Sequence, residues 1–235
     1  MNTRAPKKTA EAQASLLYSL ILVGNHEYLE DMSYLSPANI KFYGVRLPVL
    51  RATMKTWLDQ SELNFDERRR IVQMLWESGS REERLIALWM VSEENDLLTA
   101  VTWNEILVWS ESPDNWQVAD VLAMRILAPW IIKDLAERLK YLDTLVAENN
   151  YWRRSISISA ATFLHRLEPS LEEKTIGMME KILPDHHPIV IKAVRLALVE
   201  LGKRNPNRLS LFILKNRKDL STHLLNEVER ETRKG

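Results

Sequence analysis

Residues 114–120, Asp-Asn-Trp-Gln-Val-Ala-Asp, open one of the short capped helices whose repetition decides the fold of this chain. Asp114 or Asn115 can serve as the N-cap, because a short side-chain oxygen accepts hydrogen bonds from the free N–H groups of a first helical turn. Trp116 and Asp120 are then four residues apart and lie on one helical face. The sequence therefore predicts an aromatic ring and a carboxylate side by side at the start of a helix.

This pairing is suited to a positive charge, because the ring face and the carboxylate both attract a cation. Val118 and Leu122 point the opposite way, towards a core, so we expect Trp116 and Asp120 to lie away from the packing stripe. Two other interpretations stay open. A lone Trp in a helical protein usually belongs to the core, and Asp120 could form a surface ion pair with Arg125.

Similar helix starts recur along the chain. Candidate caps or first-turn prolines precede helical segments at Asn64, Ser80, Asn150, Pro188, Pro206 and Ser221. No convincing pair of strands interrupts them. Trp76, Trp116 and Trp152 are 40 and 36 residues apart, and we interpret them as corresponding places near successive helix pairs.

Helix pairs that repeat in units of about 40 residues are typical of helical solenoids. We therefore predict an all-α solenoid of HEAT-like helical repeats (an α-α superhelix), forming one domain over residues 1–235. Its concave face is the expected binding surface. Residues 1–8 are predicted to be a disordered basic tail.

Composition limits the possible chemistry. The 235 residues include no Cys, and 32 Lys or Arg balance 32 Asp or Glu. Without cysteine there is no disulfide and no thiolate metal site, which fits a cytoplasmic protein. No apolar run is long enough to span a bilayer, so we expect no membrane association. His186 and His187 have no third metal ligand close in sequence, and no phosphate-binding loop is present, so we predict neither metal nor cofactor.

The neutral total conceals a basic C-terminal part. From His186 to Gly235 there are eleven Lys or Arg and five Asp or Glu. Six basic side chains could contact phosphates: Arg153, Arg154, Lys192, Arg195, Lys203 and Arg204. Trp152 is an aromatic at a helix start beside the first two, and we include it in the predicted DNA-contact set. Phosphate contact and a solvated helical face are equally compatible with the count alone.

Five groups of residues occur in an order and spacing that identify a family. They are Phe42–Pro48 with Arg51; Leu75-Trp76 with Glu83-Arg84 and Ala87; Asn115-Trp116 with Asp120; Tyr151–Arg154; and Val190–Ala193 with Lys203 and Pro206. Together they resemble the DNA alkylation repair proteins of the AlkD type, which are alkylpurine DNA glycosylases built from HEAT-like repeats. The resemblance covers nearly the whole chain from about Tyr34.

A solenoid with capped ends can be a monomer, and a monomer is what we expect. The resemblance implies that a concave basic face holds duplex DNA containing a cationic N3- or N7-alkylpurine, without flipping the base into a pocket. The family's Trp-x-x-x-Asp matches Trp116 and Asp120. A cationic purine is already a good leaving group, so hydrolysis of its N-glycosidic bond needs no general acid. The role implied for Asp120 is to stabilise the oxocarbenium-like sugar and orient water, while Trp116 contacts the deoxyribose. Tyr34 takes the family's N-terminal aromatic position.

Two positions depart from the family. Its second cleft Trp falls at Leu196, and its cleft Arg falls at Ser155, with Arg154 one residue early. One residue is about 100° around a helix, so Arg154 would not face the same way unless the start of its helix is shifted by one residue. Two alternatives to a glycosylase therefore stay open. One is a non-catalytic module that binds damaged or distorted DNA, and the other is a scaffold for a protein partner.

Overall fold

The computed structural model describes the backbone of residues 4–34, 41–183 and 185–233, and the side chains of residues 7–30, 41–183 and 185–233. Within these ranges the chain is all-α, with one isolated β-bridge between Lys41 and Ser80 and no β-strand. The prediction of an all-α helical-repeat fold is confirmed. None of the described helices is long and apolar enough to cross a bilayer.

The helices are named in chain order. They are α1 (Arg4–Val23), α2 (His26–Tyr34), α3 (Leu47–Gln60), α4 (Phe65–Glu77), α5 (Arg81–Glu93), α6 (Asn95–Thr99), α7 (Trp103–Glu111), α8 (Trp116–Val121), α9 (Ala128–Ile132), α10 (Leu135–Arg138), α11 (Lys140–Val146), α12 (Tyr151–Leu167), α13 (Glu172–Ile182), α14 (Pro188–Arg204), α15 (Pro206–Lys215) and α16 (Thr222–Thr232). A π-helix, Leu122–Leu127, joins α8 to α9, and a 3₁₀ turn, Pro169–Leu171, precedes α13.

Two predictions about the chain's organisation need correction. Helix α1 begins at Arg4, so the disordered tail predicted for residues 1–8 is wrong from residue 4 onwards. The starts of α3, α5, α8, α12, α14 and α16 recur about every 35 residues. Trp116 and Trp152 lie in such first turns, but Trp76 lies near the end of α4, so Trp76 does not occupy a corresponding place.

The predicted caps explain where several helices begin. At α4, the Asn64 side chain accepts from the Glu67 N–H at 3.0 Å, and the Glu67 carboxylate accepts from the Asn64 N–H at 3.0 Å. This reciprocal pair satisfies two N–H groups that a helix start leaves open. At α5, the Ser80 hydroxyl accepts from the Glu83 N–H, whereas the Glu83 carboxylate is occupied by the Tyr43 hydroxyl. Only the first of these two is a complete capping box.

The chain divides into two compact units, and the first comprises Met1–Trp103 and Pro113–Val121. Within it α5 packs on both α3 and α8. Helices α1 and α4 pack on each other; α1 also packs on α3, and α4 also packs on α5. Its core includes the fully buried side chains of Leu16, Leu20, Leu50, Ile71, Leu85, Leu88 and Val118. Helix α5 lies at the centre of this packing, because it contacts four other helices of the unit, α3, α4, α6 and α8.

The second unit comprises Asn104–Ser112 and Leu122–Gly235. Here α12 packs on α14 and α14 packs on α16, while α11 and α13 pack on each other and on α12. Its core includes Leu122, Ile126, Ile156, Ile158, Val190 and Leu198. The Ile-Ser-Ile-Ser alternation at residues 156–159 belongs to α12, so it is helical despite its strand-like pattern.

Candidate functional site

The first turn of α8 is capped by Asn115. Its buried side-chain oxygen accepts from the Gln117 N–H at 2.8 Å, and its carbonyl accepts from the Ala119 N–H at 3.0 Å. The structure thus selects Asn115 from the two candidate caps, and the helix begins at Trp116.

Asp114, the other candidate cap, has a different role. Its backbone is left-handed, with φ of 59°, and its carboxylate accepts from Arg84 Nη1 at 2.7 Å. The guanidinium of Arg84 also lies over the Trp76 ring at 4.9 Å, and its Nε donates to the Trp76 carbonyl at 3.2 Å. Arg84 on α5 therefore fastens the residue that precedes the cap of α8.

The Trp116 side chain is 43% exposed and the Asp120 side chain is half-buried. Val118, Ala119 and Leu122 are buried, so the predicted division of the helix into a packed face and an outer face is confirmed. The interpretation of Trp116 as a core residue is wrong. A ring and a carboxylate one helical turn apart, neither of them sealed in the core, can attract a cation.

Gln117, between these two residues, is held by a buried arginine. Arg81 Nε donates to Gln117 Oε1 at 2.7 Å, and its Nη1 donates to Glu82 Oε1 at 3.1 Å, with both of these charged side chains fully buried. Glu82 also accepts from the Val45 N–H at 3.2 Å. A buried charge needs such partners, because desolvation would otherwise cost several kcal/mol.

Glu83, the neighbour of this pair, is buried too. Desolvation raises its pKa, and the hydrogen bond from the Tyr43 hydroxyl, 2.9 Å long, opposes that shift. The pKa of Tyr43 is raised by its own burial and by the adjacent Glu83 charge. The first turn of α5 is therefore a buried network of charged and polar groups, which the sequence did not reveal. Four consecutive charged residues, Arg81–Arg84, read equally well as a solvated turn.

The start of α12 contains three of the predicted DNA-contact residues, and each of them has partners within the protein. Trp152 is only 7% exposed, so it is part of the core of the second unit. Arg153 pairs with Glu111 at 2.5 Å and with Glu148 at 3.4 Å. Arg154 pairs with Asp185 at 2.6 Å and donates to the carbonyls of residues 148 and 149. All three side chains are thus engaged within the second unit.

The two departures from the family pattern have clear structural settings. Ser155 is 4% exposed, and its hydroxyl donates to the Ile189 carbonyl at 3.3 Å, so this position faces α14. Leu196 on α14 is 38% exposed. Helix α12 begins at Tyr151 with Asn150 as its cap. The helix start is therefore not shifted, and Arg154 does not take the orientation of Ser155.

The remaining predicted basic residues lie on or beside α14. Arg195 pairs with Glu231 and, at 3.9 Å, with Glu227. Arg204 pairs with Glu200 at 2.7 Å and donates to the Arg166 carbonyl at 3.1 Å. Lys192 is half-buried and Lys203 is exposed. The side chain of Tyr34 lies outside the described residues. Much of the basic excess of this region is thus matched by nearby carboxylates.

Over the side chains that the structure describes, no group of three or more His, Asp or Glu is placed to hold a metal ion.

Comparison with known proteins agrees with this architecture. Comparison with curated proteins gives no match. A solved structure from Enterococcus faecalis, described as a predicted DNA alkylation repair enzyme, is similar with a TM-score of 0.69 and 17% identity, covering 89% of this chain and 94% of that one.

A second similar structure is smu.31 from Streptococcus mutans UA159, with a TM-score of 0.56 and 19% identity, covering 79% of this chain and 90% of that one. At these identities the two likenesses show the fold. The family evidence is the match of residues 16–228 to the model described as DNA alkylation repair enzyme. Since that match spans most of the chain, this protein belongs to the DNA alkylation repair enzyme family.

Proposed function

We propose that this protein is a DNA glycosylase that hydrolyses the N-glycosidic bond of cationic N7- or N3-alkylpurines in duplex DNA. The observation that supports it is the outer face of α8, where Trp116 is exposed and Asp120 lies one turn further along. The family assignment makes alkylated DNA the relevant substrate class.

The chemistry follows from the charge of the lesion. When the bond from C1′ to the purine nitrogen breaks, its electron pair neutralises the cationic purine, and positive charge develops on the sugar. The Asp120 carboxylate and the Trp116 ring face stabilise that charge. Asp120 also orients the water whose oxygen bonds to C1′, and it accepts a proton from that water. The products are a free neutral alkylpurine and an abasic site.

For DNA binding we propose the two lysines of the predicted set, Lys192 and Lys203, as phosphate contacts. Lys203 is exposed and Lys192 is half-buried, and a lysine ammonium binds phosphate as a point charge. Each phosphate contact contributes a slope of about −0.9 to the dependence of log affinity on log salt. We therefore expect a shallow slope of about −2, and replacing both lysines with Gln should bring it close to zero.

The test is base release from a duplex with one N7-methylguanine, measured as free base under single-turnover conditions. Asp120→Asn should lower the rate about 100-fold, because it removes the negative charge while preserving shape. Trp116→Ala should lower it about tenfold, and Trp116→Phe should lose less because it keeps a ring face. Asp59→Asn on α3, which makes the same substitution at an exposed aspartate, is the matched control and should release base at the wild-type rate.

A second candidate function is a non-catalytic module that binds damaged or distorted DNA. The observations that favour it are Leu196 in place of an aromatic and the buried Ser155 in place of an arginine. Wild-type protein that binds the modified duplex in a salt-sensitive way but releases no base would support this module and contradict the glycosylase. Absence of DNA binding at low salt would leave a protein-binding scaffold.

A further inference from the structure

We propose that Arg81 and Arg84, on the first turn of α5, are positioning residues that set the orientation of Trp116 and Asp120 on α8. The inference rests on the proposed function for its meaning, but its geometry is independent of it. Neither arginine needs to contact DNA for this role. They would act through the two residues that flank Trp116 closely, Asp114 and Gln117.

Helix α8 needs outside support because it is short. It has six residues and continues directly into a π-helix, so few regular i→i−4 hydrogen bonds stabilise its first turn. Its residues Val118 and Ala119 pack inwards, which holds the helix against the core of the first unit. Contacts from neighbouring helices can add to this packing by fixing the position of the exposed first turn.

The first restraint is the ion pair between Arg84 and Asp114. Asp114 is in the left-handed region, which costs a non-glycine residue of the order of 1 kcal/mol, and its carboxylate is fastened to Arg84 at 2.7 Å. The Arg84 side chain is itself 11% exposed and anchored to α4 through the Trp76 ring and carbonyl. The entry of the chain into α8 is therefore held at a defined point.

The second restraint is the hydrogen bond from Arg81 to Gln117. Arg81 is fully buried and tied to Glu82 and to the Val45 carbonyl, so it is a fixed donor rather than a mobile one. Gln117 follows Trp116 directly, about 100° around the helix. Fixing both Asp114 and Gln117 prevents the turn from sliding or rotating, and so fixes the direction of the Trp116 ring. A displacement of 1 Å at a reacting group can cost about 100-fold in rate.

The experiment combines a structural readout with a kinetic one. Protein labelled with 5-fluorotryptophan is observed by ¹⁹F NMR, and the Trp116 signal is assigned by its loss in Trp116→Phe. Arg84→Lys, Asp114→Gly and Gln117→Met should each shift or split this signal. Asp114→Gly is informative because glycine accepts the left-handed backbone, so only the ion pair is lost. Asp114→Asn, which keeps an acceptor and tolerates that backbone, should restore most of the wild-type signal.

Arg68→Lys is the matched control. Arg68 on α4 pairs with Glu94 at 2.6 Å and donates to the Leu63 carbonyl at 2.8 Å, so it has the same kind of partners without contact to the α8 segment. This variant should leave the Trp116 signal unchanged. In the base-release assay the three positioning variants should lower kcat about 30-fold with KM changed less than threefold, whereas Arg68→Lys should change neither.

The outcomes separate the two proposals. A Trp116 signal that stays at its wild-type position in Arg84→Lys and Asp114→Gly, both still folded by circular dichroism, overturns the positioning role. A signal that moves in those variants but not in Arg68→Lys supports it. If the signal moves while wild-type protein releases no base, the positioning of α8 stands and the glycosylase proposal fails. If kcat falls equally in Arg68→Lys, the effect is general destabilisation and the inference is wrong.

Discussion

The first turns of α8 and α12 begin with the same cap and place a Trp differently. Asn115 accepts from the Gln117 N–H at 2.8 Å, and Asn150 accepts from the Trp152 N–H at 2.8 Å. Trp116 is the first residue after its cap and Trp152 is the second. One residue turns a side chain about 100°, and the exposed fraction changes from 43% to 7%. Helix register therefore decides which of two similar aromatics can meet a ligand.

An arginine on each of two helices is used in the same way. Arg84 is the fourth residue of α5 and pairs with Asp114, shortly before α8. Arg154 is the fourth residue of α12 and pairs with Asp185, shortly before α14. Both also donate to carbonyls near the end of the preceding helix. The repeat thus reuses one arginine–aspartate link, in which Arg154 takes the same place as Arg84.

The largest expected effect separates the two tryptophans. Trp152→Ala should lower the free energy of unfolding by about 3–5 kcal/mol, because a buried aromatic is lost and a cavity forms. Trp116→Ala should lower it by less than about 1 kcal/mol, since that side chain is largely exposed. Urea unfolding followed by circular dichroism measures both. Equal losses would contradict the difference in burial between α8 and α12.

The two arginine–aspartate links should have similar effects on stability and different effects on activity. Arg154→Lys and Arg84→Lys should each cost about 2 kcal/mol, since lysine cannot reproduce several directed guanidinium hydrogen bonds. Only Arg84→Lys should slow base release beyond what its stability explains. A loss of DNA affinity in Arg154→Lys without any loss of stability would instead return Arg154 to the DNA-contact set.

The smallest effect concerns pH and the buried His165 on α12, which has no counterpart in α8. Burial lowers the pKa of His165, and the nearby Glu172 charge only partly opposes this. Between the lowered pKa of folded His165 and the ordinary histidine value of about 6.5, the unfolded chain therefore binds more protons than the folded one. The contribution of His165 to stability is complete above that value and is lost as the pH falls towards the folded pKa.

His165→Gln should consequently unfold with less change in free energy between pH 7.5 and pH 5.5 than the wild type. His26→Gln, at an exposed histidine, is the control and should keep the wild-type pH dependence. Urea denaturation at the two pH values provides the comparison. An unchanged pH dependence in His165→Gln would show that other groups account for the acid sensitivity of this unit.

Much of the fold was predictable because helix starts depend on local chemistry. Asn64, Asn150, Pro188 and Pro206 open helices as predicted, since a cap or a first-turn proline acts within four residues. The outer position of Trp116 and Asp120 also followed from helical periodicity. The ion pairs at the start of α12 were not predictable in this way, because Arg153 and Arg154 pair with carboxylates more than thirty positions away, Glu111 and Asp185.

The sequence alone determined the helical class, most helix starts, and the pairing of a ring with an acid on one face of α8, because these properties involve residues no more than about four positions apart. Only the tertiary structure decided that Asn115 rather than Asp114 is the cap, that Trp152 is buried, and that Arg81 is a buried donor to Gln117. Each of these depends on a partner from another helix.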